Sequence, residues 1–399
     1  MEVITGGLKA AAGGYHRGFK GSSPLPAKNS GIQVLARSGA PAYAYTVHTQ
    51  HLQDGRAPAR KIVVFATSFL DTPVASSPDS GKARAQLESA AEHSGFSVEY
   101  RCERDPRTPL DPSEFEGVAA VIADLERYDR DLLEAVGQGN GGSLAVISRY
   151  GTGVSNIDLE AAADSGVLVA NAPGANAAPT AEWTLATILS VAGGRILNHG
   201  RAARGLAKTT CPRLDLRGRT LGIIGTGSVG RRLVELVDGF RMDVIAFTPH
   251  PDHEWANAHG VRYTTFEEVI ECSDVLSLHA SADYQLVGEA EIARMKPTAM
   301  LINCARDHLV DTEAVYRAVS EDRLWGYGLD EVWTRDDLPL RPELNIVVSP
   351  HIGSDSDYGK EQMQLVSAKN ITAWLEGGRP PHPVVPSNSA ASTRHGTGS

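Results

Sequence analysis

Residues 221–230 read LGIIGTGSVG, and this decapeptide decides how the rest of the chain is read. A strand-sized apolar run leads into glycines at 225, 227 and 230, the spacing G-x-G-x-x-G, and the next stretch, 228–237, predicts a helix. Many glycine-rich turns between a strand and a helix share that spacing. In this context each glycine has a physical use. Gly225 allows a tight turn, Gly227 lets the backbone approach a pyrophosphate, and Gly230 lets helix and strand pack closely. The helix N-terminus, opening on Ser228 and Val229, offers free N–H groups and the positive end of a dipole to that anion. A dinucleotide site is the expectation.

The strand after it, DVIAF (243–247), should end near an acid that holds the adenine ribose. Thr248, Pro249 and His250 stand there instead. With no carboxylate to repel a 2′-phosphate, NADP is permitted, and His250, His253 or Arg262 could approach that phosphate. In the other reading Thr248 bonds the ribose and NAD is used. The cofactor expectation is NAD or NADP, leaning to NADP.

Further out, strands and helices alternate. KIVVFAT (61–67), FSVEY (96–100), VAAVIA (118–123) and LAVIS (144–148) read as strands, with helices over 82–95 and 131–136. After residue 220 the rhythm repeats through DVIAF, VLSLH (275–279), AMLIN (299–303), WGYGL (325–329) and NIVVS (345–349). Alternating βα units predict parallel sheets covered by helices. The fold class is α/β, with two Rossmann-like domains and a cleft between them. Long helical patterns cover 176–198 and 355–378. The first sixty residues, poor in acids and without periodicity, predict a disordered extension, although their mildly basic character also allows an organelle transit peptide. Residues 387–399 read as a flexible tail.

Composition removes several classes. With 38 Lys+Arg against 48 Asp+Glu, the formal net charge of −10 gives no electrostatic case for nucleic acid or an anionic membrane. The apolar runs LAVI, VAAVIA and LGII are strand-sized, too short to span a bilayer. Cys102, Cys211, Cys272 and Cys304 lie far apart, so neither a zinc knuckle nor a disulfide framework is expected, and a reducing cytoplasm is the default.

Several stretches in order then carry a resemblance: RYGTGVSNIDLEAAADSGVLVANAPGANAAPTAEW (149–183), LGIIGTGSVG, SDVLSLH (273–279), MKPTAMLINCAR (295–306), GYGLD (326–330) and SPHIGS (349–354). Together they resemble the D-specific 2-hydroxyacid dehydrogenases, the family of phosphoglycerate dehydrogenase and glyoxylate/hydroxypyruvate reductase. The resemblance covers roughly 61–380. It implies a discontinuous substrate domain, 61–174 plus 355–386, and a cofactor domain, 175–354, that forms a homodimer. It also implies an active site in a cleft that closes on a small anionic substrate.

Carried over residue by residue, His351 of SPHIG matches the acid/base histidine, a residue whose titration range suits giving a proton in reduction and taking one in oxidation. Arg306 matches the substrate arginine, able to grip a carboxylate and polarise a developing alkoxide. Asp307, where the family usually has glycine, is expected to salt-bridge Arg306. The turn of Arg149, Tyr150, Gly151, Thr152 and Gly153 matches a loop whose N–H groups bind the carboxylate. Asn176 matches a hinge residue near the substrate, and an N-cap role is equally physical. Asp330 matches the aspartate that bonds the nicotinamide carboxamide. Cys304 and Ala305 should line that ring, Gly353 and His279 should flank the cofactor, and a metal role for Cys304 has no companion ligands.

Two departures stand out. The family's glutamate behind the catalytic histidine falls, without gaps, on Arg335 in LDEVWTRDD (329–337), leaving Asp336 and Glu331 as candidate acids. The family's proline after His279 is also missing from HASADYQLVG (279–288). Substrate choice should come from loops near 67–80 and 124–130, with Ser68, Arg127 and Arg149 as candidates. Two functions follow. The first is an NAD(P)-dependent oxidoreductase of a small 2-hydroxy or 2-oxo acid, with room for an atypical anionic substrate such as a phosphonate. The second is a catalytically impaired, dimeric NAD(H)-binding module.

Overall fold

In the computed structural model the described residues are 60–385 without 67–68, 70–80, 106 and 207–212, together with two strands of two residues each. Those two, β1 (Gln33–Val34) and β2 (Tyr45–Thr46), pair antiparallel within a unit spanning Met1–Ala57. The rest of the N-terminal extension, Ser68 and the tail 387–399 lie outside the described residues. The second unit spans Pro58–Ser399.

Two sheets organise this unit. The first collects β3 (Arg60–Val64), β4 (Phe96–Tyr100), β5 (Val118–Ala123), β6 (Val146–Arg149), β7 (Leu168–Ala170) and, from the far end of the chain, β15 (Pro383–Val384), in the order β15-β7-β6-β5-β3-β4. All neighbours are parallel except β15, which is antiparallel to β7. All six residues of VAAVIA are buried, as a parallel strand covered on both faces requires. The covering helices are α1 (Lys82–His93), α2 (Arg130–Val136) and α3 (Leu159–Asp164).

The second sheet has seven parallel strands in the order β10-β9-β8-β11-β12-β13-β14. These are β8 (Thr220–Ile224), β9 (Asp243–Phe247), β10 (Val261–Tyr263), β11 (Val275–Leu278), β12 (Met300–Asn303), β13 (Gly326–Asp330) and β14 (Ile346–Ser349). The strand sequence reverses between β8 and β11, the switch point where open α/β sheets hold ligands beyond their carboxyl ends. Helices α6 (Ser228–Val237), α7 (His253–Ala258), α8 (Phe266–Cys272), α9 (Glu289–Arg294) and α10 (Thr312–Ser320) connect these strands.

The chain passes between the sheets twice, near 171–176 and 350–356. After the second passage, α11 (Asp357–Leu375) returns to the first sheet and buries Met363, Ala368 and Ile371 against Ile62, Val64 and Leu87. Met363 and Ile371 each contribute about 1.5–3 kcal/mol by leaving water, enough to fasten the returning helix. Among the described residues no helix is long and apolar enough to cross a membrane.

The single long helix expected over 176–198 is instead two. Helix α4 (Ala177–Ala192) stops at Gly193, and α5 (Arg195–Ala203) restarts after Gly194, whose φ of +52° lies in the left-handed region. A pair of glycines lowers the cost of leaving helical geometry there. Helix α4 buries Ala181, Ile188 and Val191 on the second sheet, whereas α5 buries no residue, and Leu189, Ile196 and Leu206 stay exposed.

Candidate active site

The dinucleotide turn has the geometry its glycines suggested. Gly225 has φ +98°, and a Cβ there would lie 2.6 Å from the His279 carbonyl oxygen across the switch point. A Cβ on Gly230 would collide with the Gly225 carbonyl, which is the close approach of helix to strand. A Cβ on Gly227 would meet nothing, so this edge of the turn faces open space. Gly227 is the N-cap of α6 and supplies no side chain to its first N–H groups, those of Ser228, Val229 and Gly230. These residues fit a bound pyrophosphate. Beyond β9, Thr248 and His250 present no carboxylate. Arg262 is paired with Glu268 at 2.8 Å, and His253 packs edge-on against Tyr263. The nearest downstream acid, Asp252, is held by Arg231 at 2.9 Å.

Enclosure of the His279 ring pushes its pKa down to about 4, so the imidazole is neutral, and it shares a 2.9 Å hydrogen bond with the Ser277 hydroxyl. Cys304 is buried at the end of β12. Burial pushes its thiol up to about 12, and it hydrogen-bonds with Thr184 and Thr187 of α4. Next to it, the Ala305 N–H donates to Asn303 Oδ1 at 3.1 Å.

His351 follows β14 with φ +58°, a left-handed conformation uncommon outside glycine, and its N–H donates to the Ser349 carbonyl at 3.0 Å. That turn is held by Asp330. The buried carboxylate accepts from the Ser349 hydroxyl at 2.6 Å, from Ile352 N–H at 3.0 Å and from Gly353 N–H at 2.7 Å. Trp183 of α4 adds a 3.0 Å bond from its indole to the Ser349 hydroxyl. Asp330 and Gly353, both assigned to the cofactor from sequence, therefore bond first to each other. A Cβ on Gly353 would lie 2.6 Å from Asp330 Oδ2.

The acid behind His351 is Glu331, with Oε2 2.9 Å from Nδ1. The hydrogen bond to Glu331 raises the His351 pKa against the opposing desolvation, and His351 in turn lowers that of Glu331. Asp336 is exposed and is not the partner. Arg335, the ungapped counterpart of the family glutamate, pairs with Asp337 at 2.6 Å. Parallel pairing explains the outcome: Asp330 is level with Ser349, so the residues just beyond both strands emerge side by side.

Arg306 leaves β12 with Nη1 donating to the Ala305 carbonyl at 2.6 Å. Its other amine lies over the glycine loop, 2.6 Å from where a Gly153 Cβ would stand. Its charge is close enough to lower the pKa values of His351, Glu331 and Arg149. Asp307 does not salt-bridge it, contrary to expectation. That carboxylate caps the His308 N–H at 2.8 Å and faces the His308 ring, because the chain turns into a 3-10 helix at Asp307.

In the loop itself, Tyr150 is buried, with its N–H on the Ala123 carbonyl at 2.7 Å and its hydroxyl on the Lys360 carbonyl at 3.2 Å. The Thr152 hydroxyl contacts Asn176 Oδ1 at 3.0 Å and the Ala172 carbonyl at 3.1 Å. Asn176 sits at the N-cap of α4, yet its side chain makes no cap bond and meets Thr152 instead. Among the described residues, no backbone carbonyl accepts from the N–H groups of Gly151, Thr152 and Gly153. Sequence reasoning missed Ser349 and Trp183, which hold the histidine turn, and Asp124 beside the loop. Ser349 and Trp183 lie inside the stretches that carried the resemblance, and Asp124 opens one of the loops named for substrate choice, but no sequence signal assigns any of the three a role of its own.

Residues 187–353 match the NAD binding domain of the D-isomer specific 2-hydroxyacid dehydrogenases. The chain is 34% identical over 300 residues to the glyoxylate reductase of Thermococcus litoralis, covering 70% of this chain and 88% of that protein. It is 31% identical over 268 residues to the D-3-phosphoglycerate dehydrogenase of Methanocaldococcus jannaschii, covering 64% of this chain and 49% of that longer one. Among solved structures, the TT0316 protein of Thermus thermophilus is 33% identical with a TM-score of 0.66, over 82% of this chain and all of that one (100%). The chain belongs to the D-isomer specific 2-hydroxyacid dehydrogenase family. It is an NAD(P)-dependent oxidoreductase that transfers hydride between nicotinamide and 2-hydroxy or 2-oxo acids.

Proposed function

We propose that the protein reduces a small 2-oxo acid to the 2-hydroxy acid, with His351 as proton donor and Arg306 as carboxylate anchor. The observation that carries this reading is the His351–Glu331 pair at 2.9 Å, set near the Arg306 charge. The bound nicotinamide supplies the hydride. The chain's own residues do the rest. Arg306 and the N–H groups of 151–153 orient the carboxylate and draw negative charge onto the carbonyl oxygen. His351, whose protonated form the Glu331 hydrogen bond favours, gives its proton to that oxygen. Asp330, through Ser349, Ile352 and Gly353, positions the histidine. In this reading residues 61–174 with 355–386 form the substrate domain and 175–354 the cofactor domain.

An intact acid partner removes the reason for an impaired binding module, and a carboxylate-binding loop suits a carboxylic acid better than a phosphonate. The absence of an acid at 248–250 favours NADPH. Steady-state assays of glyoxylate, hydroxypyruvate and a phosphonate analogue with both cofactors test this. Turnover of the first two, faster with NADPH, is expected; no turnover of any 2-oxo acid would refute it. We also read the cofactor domain as the homodimer interface, with the unburied helix α5 and exposed Leu189, Ile196 and Leu206 as the surface to be covered. Sedimentation should give about twice 42.5 kDa, and Ile196→Glu should yield monomer.

A further inference from the structure

The loop of residues 149–153 lies between two guanidinium groups. Arg306 covers Gly153, and Arg149 folds over Gly151 so closely that a Cβ there would collide with its Nη1. Two free guanidinium groups around one carboxylate site would invite a dianion. Arg149, however, is not free. It ends β6 level with Ala123 of β5, so the next residue, Asp124, emerges beside the loop at the same carboxyl edge of the sheet. The Asp124 and Arg149 charges interact, and burial acts on both, pushing the carboxyl up and the guanidinium down.

The turn that carries Asp124 is fixed. Its N–H donates to Oε2 of the buried Glu126 at 2.8 Å, and Asn156 Nδ2 ties the carbonyls of Asp124 and Glu126 at 3.1 and 2.7 Å. Asp355, at the start of the passage into α11, adds a further negative charge within reach of Asp124. Arg149 Nε is buried without a hydrogen-bond partner, so this guanidinium is held by charge and packing rather than by a full set of bonds. Two carboxylates, Asp124 and Glu126, act on the single Arg149 charge, and Asp355 lies behind Asp124.

We propose that Asp124 is a specificity residue: by neutralising Arg149 and repelling like charge, it restricts the crevice to 2-oxo acids bearing one anionic group. A second carboxylate or a phosphate on the substrate would be brought against Asp124 instead of meeting an open guanidinium. Discrimination by a built-in repulsive element is a common route to selectivity among substrates that share one anchor. The proposal rests on the 2-oxo-acid reading above and refines it.

The test compares kcat/KM for glyoxylate and hydroxypyruvate with that for oxaloacetate and 3-phosphohydroxypyruvate. Wild type should prefer the singly charged pair. In Asp124→Asn the ratio of doubly to singly charged substrates should rise about tenfold or more, equivalent to about 1.4 kcal/mol. Asp124→Glu, which keeps the charge, should retain the wild-type ratio. An unchanged ratio in Asp124→Asn, or a wild-type preference for 3-phosphohydroxypyruvate, would overturn the proposal. A binding arm separates it from the reading beneath it. Calorimetry of oxamate and of tartronate on the cofactor-loaded protein needs no turnover. If no 2-oxo acid is reduced, the functional reading fails, and the specificity claim still stands or falls on whether Asp124→Asn selectively tightens tartronate.

Discussion

Removing the His351 imidazole should lower kcat by about 10²–10⁴-fold, the range that general acid–base catalysis supplies, with cofactor affinity nearly unchanged. The cofactor turn at 225–230 makes no contact that this side chain provides. His351→Asn is the cleaner variant, since asparagine tolerates the left-handed backbone at φ +58° and leaves the Asp330 clamp undisturbed. Stopped-flow hydride transfer together with cofactor titration checks both halves, and equal turnover in the variant would remove His351 from the chemistry. Glu331→Gln supplies the pH counterpart. With His351 as the proposed proton donor, the reduction rate should fall as pH rises through the His351 pKa. Glu331 raises that pKa, so its loss should move the alkaline limb of the reduction profile to lower pH. In the oxidation direction, which needs neutral imidazole, the acid limb should move to lower pH as well.

Arg306→Ala should cost about 10²–10³-fold in kcat, the typical loss on removing one preorganised donor to a developing oxyanion, and should raise KM because the carboxylate loses its cation. Arg306→Lys should recover only part, since an ammonium cannot span a carboxylate as a fork does. A second readout separates this role from mere folding. Arg306 lowers the His351 pKa, so Arg306→Ala should move the alkaline limb to higher pH, opposite to Glu331→Gln. Profiles that shift in the same direction for both variants would contradict the arrangement.

The cofactor turn could be read from sequence because its requirements are local. Gly225 is required by its own backbone angle, φ +98°, and Gly230 by its approach to the Gly225 carbonyl, so their spacing records both needs, although the His279 carbonyl that also crowds Gly225 comes from the end of another strand. The positions of His351 and Arg306 could be read because each closes a strand of regular pattern. The acid partner could not be fixed, since it depends on a register between strands. Counting along LDEVWTRDD leads to Arg335, while the alignment of Asp330 with Ser349 across β13 and β14 delivers Glu331. The break of the helix at Gly194 was missed for a different reason. Apolar periodicity continues across the glycine pair, and only the backbone angle reveals the stop. Asp124 belongs to neither kind of signal, because its neighbour Arg149 comes from another strand and is brought alongside by the sheet.

The mooring of residues 349–353 to Asp330 bears on how the enzyme can flex. His351 lies within a strap joining the two lobes, where any rocking of one against the other would ordinarily tug on it. Three bonds to a single carboxylate anchor that stretch to the sheet that also bears Arg306 and the nucleotide turn. His351, Arg306 and the nucleotide turn therefore share one frame, and bending is left to residues further along the strap. Breathing of the crevice can then admit and release substrate while His351 and Arg306 keep their mutual aim.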